Sequence, residues 1–146
     1  MEETCLHTVY LALGTNLGDR IENIRRVTER IGELVGCVVR QSALYESEPV
    51  GFRSEHWFVN AALCCTTALT PRQLLAVTQQ IEREMGRTRK SANGIYHDRI
   101  IDIDILLYDD ICINEPDLKI PHPRMHERSF VMQPLADVML PQPDDI

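Results

Sequence analysis

The spacing of apolar positions along the chain divides it into segments of two kinds. Thr8–Leu13 is a short apolar strand closed by Gly14, and residues 14–19 are turn-forming. From Ile21 the period changes. Ile21, Ile24, Val27, Ile31 and Leu34 recur at three- and four-residue spacing with Arg, Glu and Asn on the other face, which predicts an amphipathic helix. Val38–Tyr45 reads as a second strand and residues 46–56 as a loop punctuated by Pro49 and Gly51. Phe58–Thr67 alternates as a third strand, with Val59, Ala61, Leu63 and Cys65 on one face and Phe58, Asn60, Ala62 and Cys64 on the other. The helix after it announces its own start: Thr70 as N-cap, Pro71 at the first helical position and Gln73 completing a capping box. Its apolar stripe is Leu74, Val77, Ile81 and Met85, and Gly86 stops it.

The C-terminal third is built on Arg99–Leu107, a β-branched and aliphatic run interrupted by Asp102 and Asp104. Such a run predicts a buried strand. Side chains alternate across a strand, so both carboxylates take one face, with Cα atoms roughly 7 Å apart, and Ile101, Ile103 and Ile105 take the other. Asp109-Asp110 then turns the chain, Ile111–Ile113 pairs back as a hairpin, and Ile120-Pro121-His122-Pro123 is rigid and extended. Arg124–Met132 reads as helical, and the tail from Pro134 to Ile146 as irregular surface chain.

Two carboxylates in so apolar a strand are costly unless a cation lies between them. Hard divalent ions, Mg²⁺ above all, suit oxygen ligands and bring phosphate with them. A bare D-x-D is common, and a half-exposed strand facing solvent is the plain alternative. The basic, glycine-containing segment before the strand tips the balance: Arg87, Arg89, Lys90 and Arg99 beside two carboxylates favour a polyphosphate site. The glycines of residues 14–19 serve a structural turn, since neither G-x-G-x-x-G nor a P-loop lysine is present.

Composition narrows the classes further. The 146 residues fit one domain, and 44% hydrophobic with 25% charged residues is ordinary for a globular chain. A net charge of −7 argues against general nucleic-acid binding, so any anionic ligand is held locally. No apolar run is long enough to span a membrane, and the acidic N-terminus lacks the pattern of a secretory signal. The five cysteines show no C-x-x-C spacing; they read as buried or half-buried thiols of a cytoplasmic protein.

The motifs in order are ALGTNLGD (12–19), YESEPVG (45–51), FVNAA (58–62), IEREMGRTRK (81–90), RIIDIDILLY (99–108) and IPHPRMHERSF (120–130). Together they resemble the 6-hydroxymethyl-7,8-dihydropterin pyrophosphokinase family over nearly the whole chain. The resemblance implies a ferredoxin-like α+β fold, an antiparallel sheet flanked by helices, as a single domain over 1–146 with its core at about 8–140. It implies transfer of an intact diphosphate from ATP to the hydroxymethyl group of 6-hydroxymethyl-7,8-dihydropterin, releasing AMP, in folate biosynthesis. It also implies two Mg²⁺ ions on Asp102 and Asp104. Arg87, Arg89 and Arg99 then surround the triphosphate with Lys90 beside them, and His122 and Arg128 stand at further phosphate-side positions. Gln79, Glu82 and Ile105 fall on the ATP side. For the pterin, Asn60 reads the polar edge of the ring, Tyr45, Phe58 and Phe130 surround it, and Ser47, Glu48 and Val50 belong to the loop offering backbone groups. Residues 46–56 and 87–98 are expected to order when ligands bind.

Some positions depart from the family pattern. The segment between Lys90 and Arg99 is about two residues longer than in the shortest members and carries Ile95, Tyr96 and His97 where a tryptophan often sits. Pro123 follows His122 in place of an aromatic residue, Glu48 stands in place of a proline, and the C-terminal segment is short. Two other readings compete. A non-catalytic nucleotide- or RNA-binding module is opposed by the net charge, and another D-x-D transferase leaves the pterin-side motifs unexplained.

Overall fold

β1 (His7–Thr15) lies inside the sheet because both of its edges are paired. On one side it runs antiparallel to β4 (Phe58–Thr67), from His7 opposite Thr67 to Thr15 opposite Val59. On the other it pairs with β5 (Asp102–Tyr108), from Val9 opposite Tyr108 to Gly14 opposite Asp102. The outer edge of β4 carries two shorter strands in succession: β2 (Gly36–Gln41) pairs its second half and β3 (Tyr45–Ser47) its first. The result is a five-stranded antiparallel sheet in the order β2-β4-β1-β5, with β3 beside β4. The structure, a computed structural model, describes residues 6–48, 57–86 and 100–139.

The strict alternation of β4 distributes its residues between two cores. Val59, Ala61, Leu63 and Cys65 join Val9, Leu11, Leu13, Ile103 and Ile105 on the face covered by α1 (Arg20–Leu34) and α2 (Pro71–Glu84). Ala62, Cys64 and Leu106 face Val131, Leu135 and Val138 of α3 (Ser129–Met139) on the other side. The capping box of α2 forms as expected: the Thr70 hydroxyl accepts from the Gln73 backbone N–H, and the Gln73 side chain accepts from that of Thr70. No helix among the described residues is long and apolar enough to cross a membrane.

Several sequence expectations are corrected. Residues 38–45 do not form one strand. Ser42 breaks it by taking part in the ladder with its side chain, its hydroxyl accepting the Ala62 N–H at 2.8 Å while its own N–H donates to the Ala62 carbonyl. In α1 the buried stripe is Asn23, Ile24, Val27 and Ile31, and Ile21 stands 65% exposed. Capping by Asp19 starts the helix at Arg20, and that phase turns Asn23 inward. There the Asn23 amide donates to the Leu17 carbonyl and the Thr15 hydroxyl and reaches the Ile100 carbonyl at 3.4 Å, joining the ends of three segments.

The strand carrying the carboxylates begins at Asp102, with Ile100 and Ile101 outside it; Arg99, read as its first residue, lies outside the described residues. Residues 111–113 do not pair back on it. β6 (Ile113–Glu115) instead pairs with β7 (Leu118–Ile120), with Pro116-Asp117 as the connection. Arg124–Met132 is not one helix: a 3₁₀ turn covers Met125–Glu127, and α3 starts at Ser129 and runs through Pro134. Burial of Val131, Leu135 and Val138 outweighs the hydrogen bond that Pro134 cannot make. Of the cysteines, Cys64 and Cys65 are buried and Cys37 and Cys112 exposed; all four are free. Burial pushes the Cys65 thiol up to about 12.

Candidate active site

The register of the sheet sets the site. Gly14 on β1 is opposite Asn60 on one side and opposite Asp102 on the other. One step along, Ala12 lies between Ala62 and Asp104. Directly paired residues share a face, so Asn60, Asp102 and Asp104 stand on the α3 side of the sheet around a floor of small residues. Asn60 and Asp102 are two strand spacings apart, about 10 Å.

The carboxylates are held from behind. Ile103 and Ile105 are buried in the main core while Asp102 and Asp104 remain half-exposed, as a strand with one buried face requires. β5 is an edge of the sheet, and its Ile103 N–H donates to Glu82 of α2 at 2.8 Å. Glu82, 7% exposed, thus ties the backbone between the two aspartates to a helix. Two oxygen-bearing side chains on one face are a donor set of the kind Mg²⁺ accepts, leaving further positions for phosphate and water. Among the described residues no group of three or more His, Cys, Asp or Glu is gathered to hold a metal.

At the other end, Asn60 is 5% exposed and its Nδ2 donates to the Tyr45 carbonyl at 3.2 Å and the Ser47 hydroxyl at 2.8 Å. A carbonyl can only accept, so the nitrogen faces β3 and Oδ1 faces β1. Tyr45 donates its hydroxyl to Asp137 of α3 at 2.7 Å, a bond that raises its pKa from the usual tyrosine value. Phe58, opposite Ser47, and Phe130, at the start of α3, are both half-buried on this side, and the Arg128 guanidinium lies 5.7 Å from the centre of the Phe130 ring. Glu48 is exposed.

His122 is fixed by its backbone N–H donating to the Leu106 carbonyl at 3.0 Å. Burial, with the Arg128 and Arg124 charges, lowers its pKa against the opposing pull of Asp102. The Arg124 N–H donates to Nδ1 at 3.4 Å, which leaves the proton of the neutral ring on Nε2. Gln79 is half-buried on α2, and the Ile105 side chain is in the core on the face opposite Asp104. A groove of about 600 Å³ between α1 and β2, lined by Ile24, Thr28, Val38 and Leu44, shares no residue with this face.

A family model described as 7,8-dihydro-6-hydroxymethylpterin-pyrophosphokinase (HPPK) matches residues 10–140. The chain belongs to the HPPK family. It is 49% identical over 131 residues to 2-amino-4-hydroxy-6-hydroxymethyldihydropteridine pyrophosphokinase of Porphyromonas gingivalis, covering 89% of each chain. To the enzyme of that name from Bacillus subtilis it is 42% identical over 130 residues, 88% of this chain and 76% of the relative. The mitochondrial folate synthesis bifunctional protein of Arabidopsis thaliana is 43% identical over 91% of this chain, which spans 24% of that longer polypeptide. The fold is also that of wild-type Plasmodium falciparum HPPK-DHPS solved with SDX-DHP, at a TM-score of 0.72 and 18% identity over 94% of this chain and 41% of the other. Membership makes the chain a pyrophosphokinase of folate synthesis.

Of the residues that the HPPK resemblance singles out, the sheet gathers Asn60, Phe58, Asp102 and Asp104 on one face, and Phe130, His122 and Arg128 border it from the 120–130 segment. Gln79, Glu82 and Ile105 belong to the α2 side. Val50, Arg87, Arg89, Lys90 and Arg99, with Ile95, Tyr96 and His97, lie outside the described residues. Sequence reasoning missed Gly14 and Ala12 as the floor and Asp137 as the partner of Tyr45. Nothing local marks these positions, because the first two roles arise from strand register and the third from α3 reaching β3 across 92 residues of sequence.

Proposed function

We propose that this HPPK family member transfers an intact diphosphate from ATP to the hydroxymethyl group of 6-hydroxymethyl-7,8-dihydropterin, releasing AMP, with Mg²⁺ as its cofactor. The observation that carries the reading is the row Asn60–Gly14–Asp102, with a buried side-chain amide and a half-exposed carboxylate on one face, about 10 Å apart. A ring held by its polar edge at Asn60 extends its opposite substituent toward the carboxylates.

Each residue then has a task. Asn60 accepts from the N–H groups of the ring edge, Phe58 and Phe130 flank its faces, Tyr45 braces β3 on α3, and Ser47, Glu48 and Val50 line the rim. Asp102 and Asp104 hold Mg²⁺, which when bound neutralises charge on the phosphate oxygens. Arg87, Arg89, Lys90 and Arg99 clamp the triphosphate, and His122, through Nε2–H, and Arg128 donate to its oxygens. Gln79 and Glu82 border the nucleotide from α2, and Ile105, its side chain in the core, offers only backbone. Diphosphoryl transfer is mainly positioning and charge neutralisation, so no separate protein base is assigned. We read β1-α1-β2-β4-α2-β5 as a ferredoxin-like unit in a single domain, to which β3, the β6–β7 hairpin and α3 are added. The free thiols fit the reducing cytoplasm expected from the sequence.

Chromatography of a reaction with ATP, Mg²⁺ and the pterin tests the assignment. AMP must form in step with a pterin diphosphate and only when the pterin is present. Release of ADP, or AMP formation indifferent to the pterin, refutes it.

A further inference from the structure

We propose that Gly14 determines which substrate the site admits: its bare backbone is required by the pterin ring and not by the fold. The inference rests on the pyrophosphokinase reading. Gly18 and Gly86 have φ of 71° and 101°, conformations that side chains rarely adopt. A Cβ at Gly36 would run into the Thr66 carbonyl. Gly14 has no such reason. Its φ is not positive, it is paired on both sides, and it lies away from the register shift at Tyr10/Leu11. A Cβ built there meets only Asn60 Oδ1 at 3.4 Å and Phe58 Cδ1 at 3.6 Å, tight to ordinary contact with two side chains. A glycine at a doubly paired strand position weakens the sheet, and where neither φ nor a neighbouring backbone demands it, close approach of a ligand remains.

The two atoms that the missing Cβ would touch are those proposed to hold the ring. Both Asn60 Nδ2 contacts go to β3, to the Tyr45 carbonyl and the Ser47 hydroxyl. Oδ1 is left facing Gly14, buried, and accepts no hydrogen bond among the described residues. A ring N–H donating to it needs to lie within about 3.2 Å. A methyl group 3.4 Å from the same oxygen would take up that space. Gly14 is also opposite Asp102, so a substituent reaching from Asn60 to the carboxylates crosses β1 at this residue. A side chain here therefore blocks the heterocycle and leaves the nucleotide side open.

The test is a comparison of Gly14→Ala and Gly14→Ser with the wild type. Gly32→Ala is the control, at a helical glycine with nothing within 4 Å of an added Cβ. Thermal unfolding, Mg²⁺·ATP affinity, and pterin affinity in the presence of a non-hydrolysable ATP analogue are measured for each. The expected result is that both Gly14 variants fold and keep their ATP affinity within about twofold, while pterin affinity falls at least tenfold and the control matches wild type. A folded Gly14→Ala protein that binds the pterin as wild type does overturns the proposal. So does loss of folding in both Gly14 variants, since the fold would then be what requires glycine. If the wild-type protein itself binds ATP but no pterin, the pyrophosphokinase reading fails first and takes the proposal with it.

Discussion

Removing Glu82 should loosen the strand that carries both aspartates. Its carboxylate accepts the Ile103 N–H at 2.8 Å from a position only 7% exposed, so water does not readily replace it. In Glu82→Ala that edge donor loses this partner, which costs about 1–3 kcal/mol, and the lost bond was charge-assisted. A net loss of about 2 kcal/mol corresponds to a fall in Tm of roughly 5–8 °C for a chain of this size. Since Asp102 and Asp104 flank Ile103, Mg²⁺ affinity and kcat should fall as well. Glu82→Gln retains an acceptor of nearly the same shape and should recover at least half of the stability. Urea unfolding gives the stabilities, and titration of activity with Mg²⁺ the metal dependence. A Glu82→Ala protein within about 0.5 kcal/mol of wild type, with unchanged Mg²⁺ dependence, would refute this reasoning; equal damage from Gln and Ala would show that charge and not the accepted bond matters.

Asp102→Ala or Asp104→Ala should lower kcat by about a thousandfold or more, because metal neutralisation of phosphate charge contributes several kcal/mol, while circular dichroism stays native. Full turnover in either variant would remove the metal assignment. Asn60→Ala should raise the pterin KM by roughly 10- to 100-fold through loss of buried hydrogen bonds and leave ATP affinity alone, as calorimetry can check. The Asp109 carboxyl is held below the usual carboxylate range, first by the Thr8 N–H and then by His7. A depressed folded pKa contributes stability that is present above the unfolded value near 4 and lost as pH falls through the lower folded one. Asp109→Asn, which suits the left-handed φ of 47°, should therefore flatten the decline of Tm below about pH 4; an unchanged slope would count against it.

Legibility in the sequence follows how local each determinant is. β4 and α2 were readable because strict alternation and a capping box state their faces and ends within a few residues. The Asp102/Asp104 pair stood out because carboxylates are costly in an apolar strand. The break at Ser42 was not readable, since it depends on a hydroxyl meeting Ala62 across the sheet. The sequence ends this helix at Met132 although α3 runs through Pro134 to Met139, because the packing that outweighs a missing N–H comes from Ala62, Cys64 and Leu106 on distant strands. The same holds at the site. The aspartates and Asn60 could be named one by one, but that Gly14 lies between them is a property of register among three strands.

In the proposed reaction one sheet face carries the pterin from Asn60 to Asp102 and Asp104. Paramagnetic relaxation tests it most directly, with Mn²⁺ in place of Mg²⁺, a non-hydrolysable ATP analogue, and the pterin labelled with ¹³C at its hydroxymethyl carbon. Strong, Asp102-dependent relaxation of that carbon, exceeding that of the ring carbons at the opposite edge, is the predicted result. Relaxation that is absent, or greater at the opposite edge, would contradict the account.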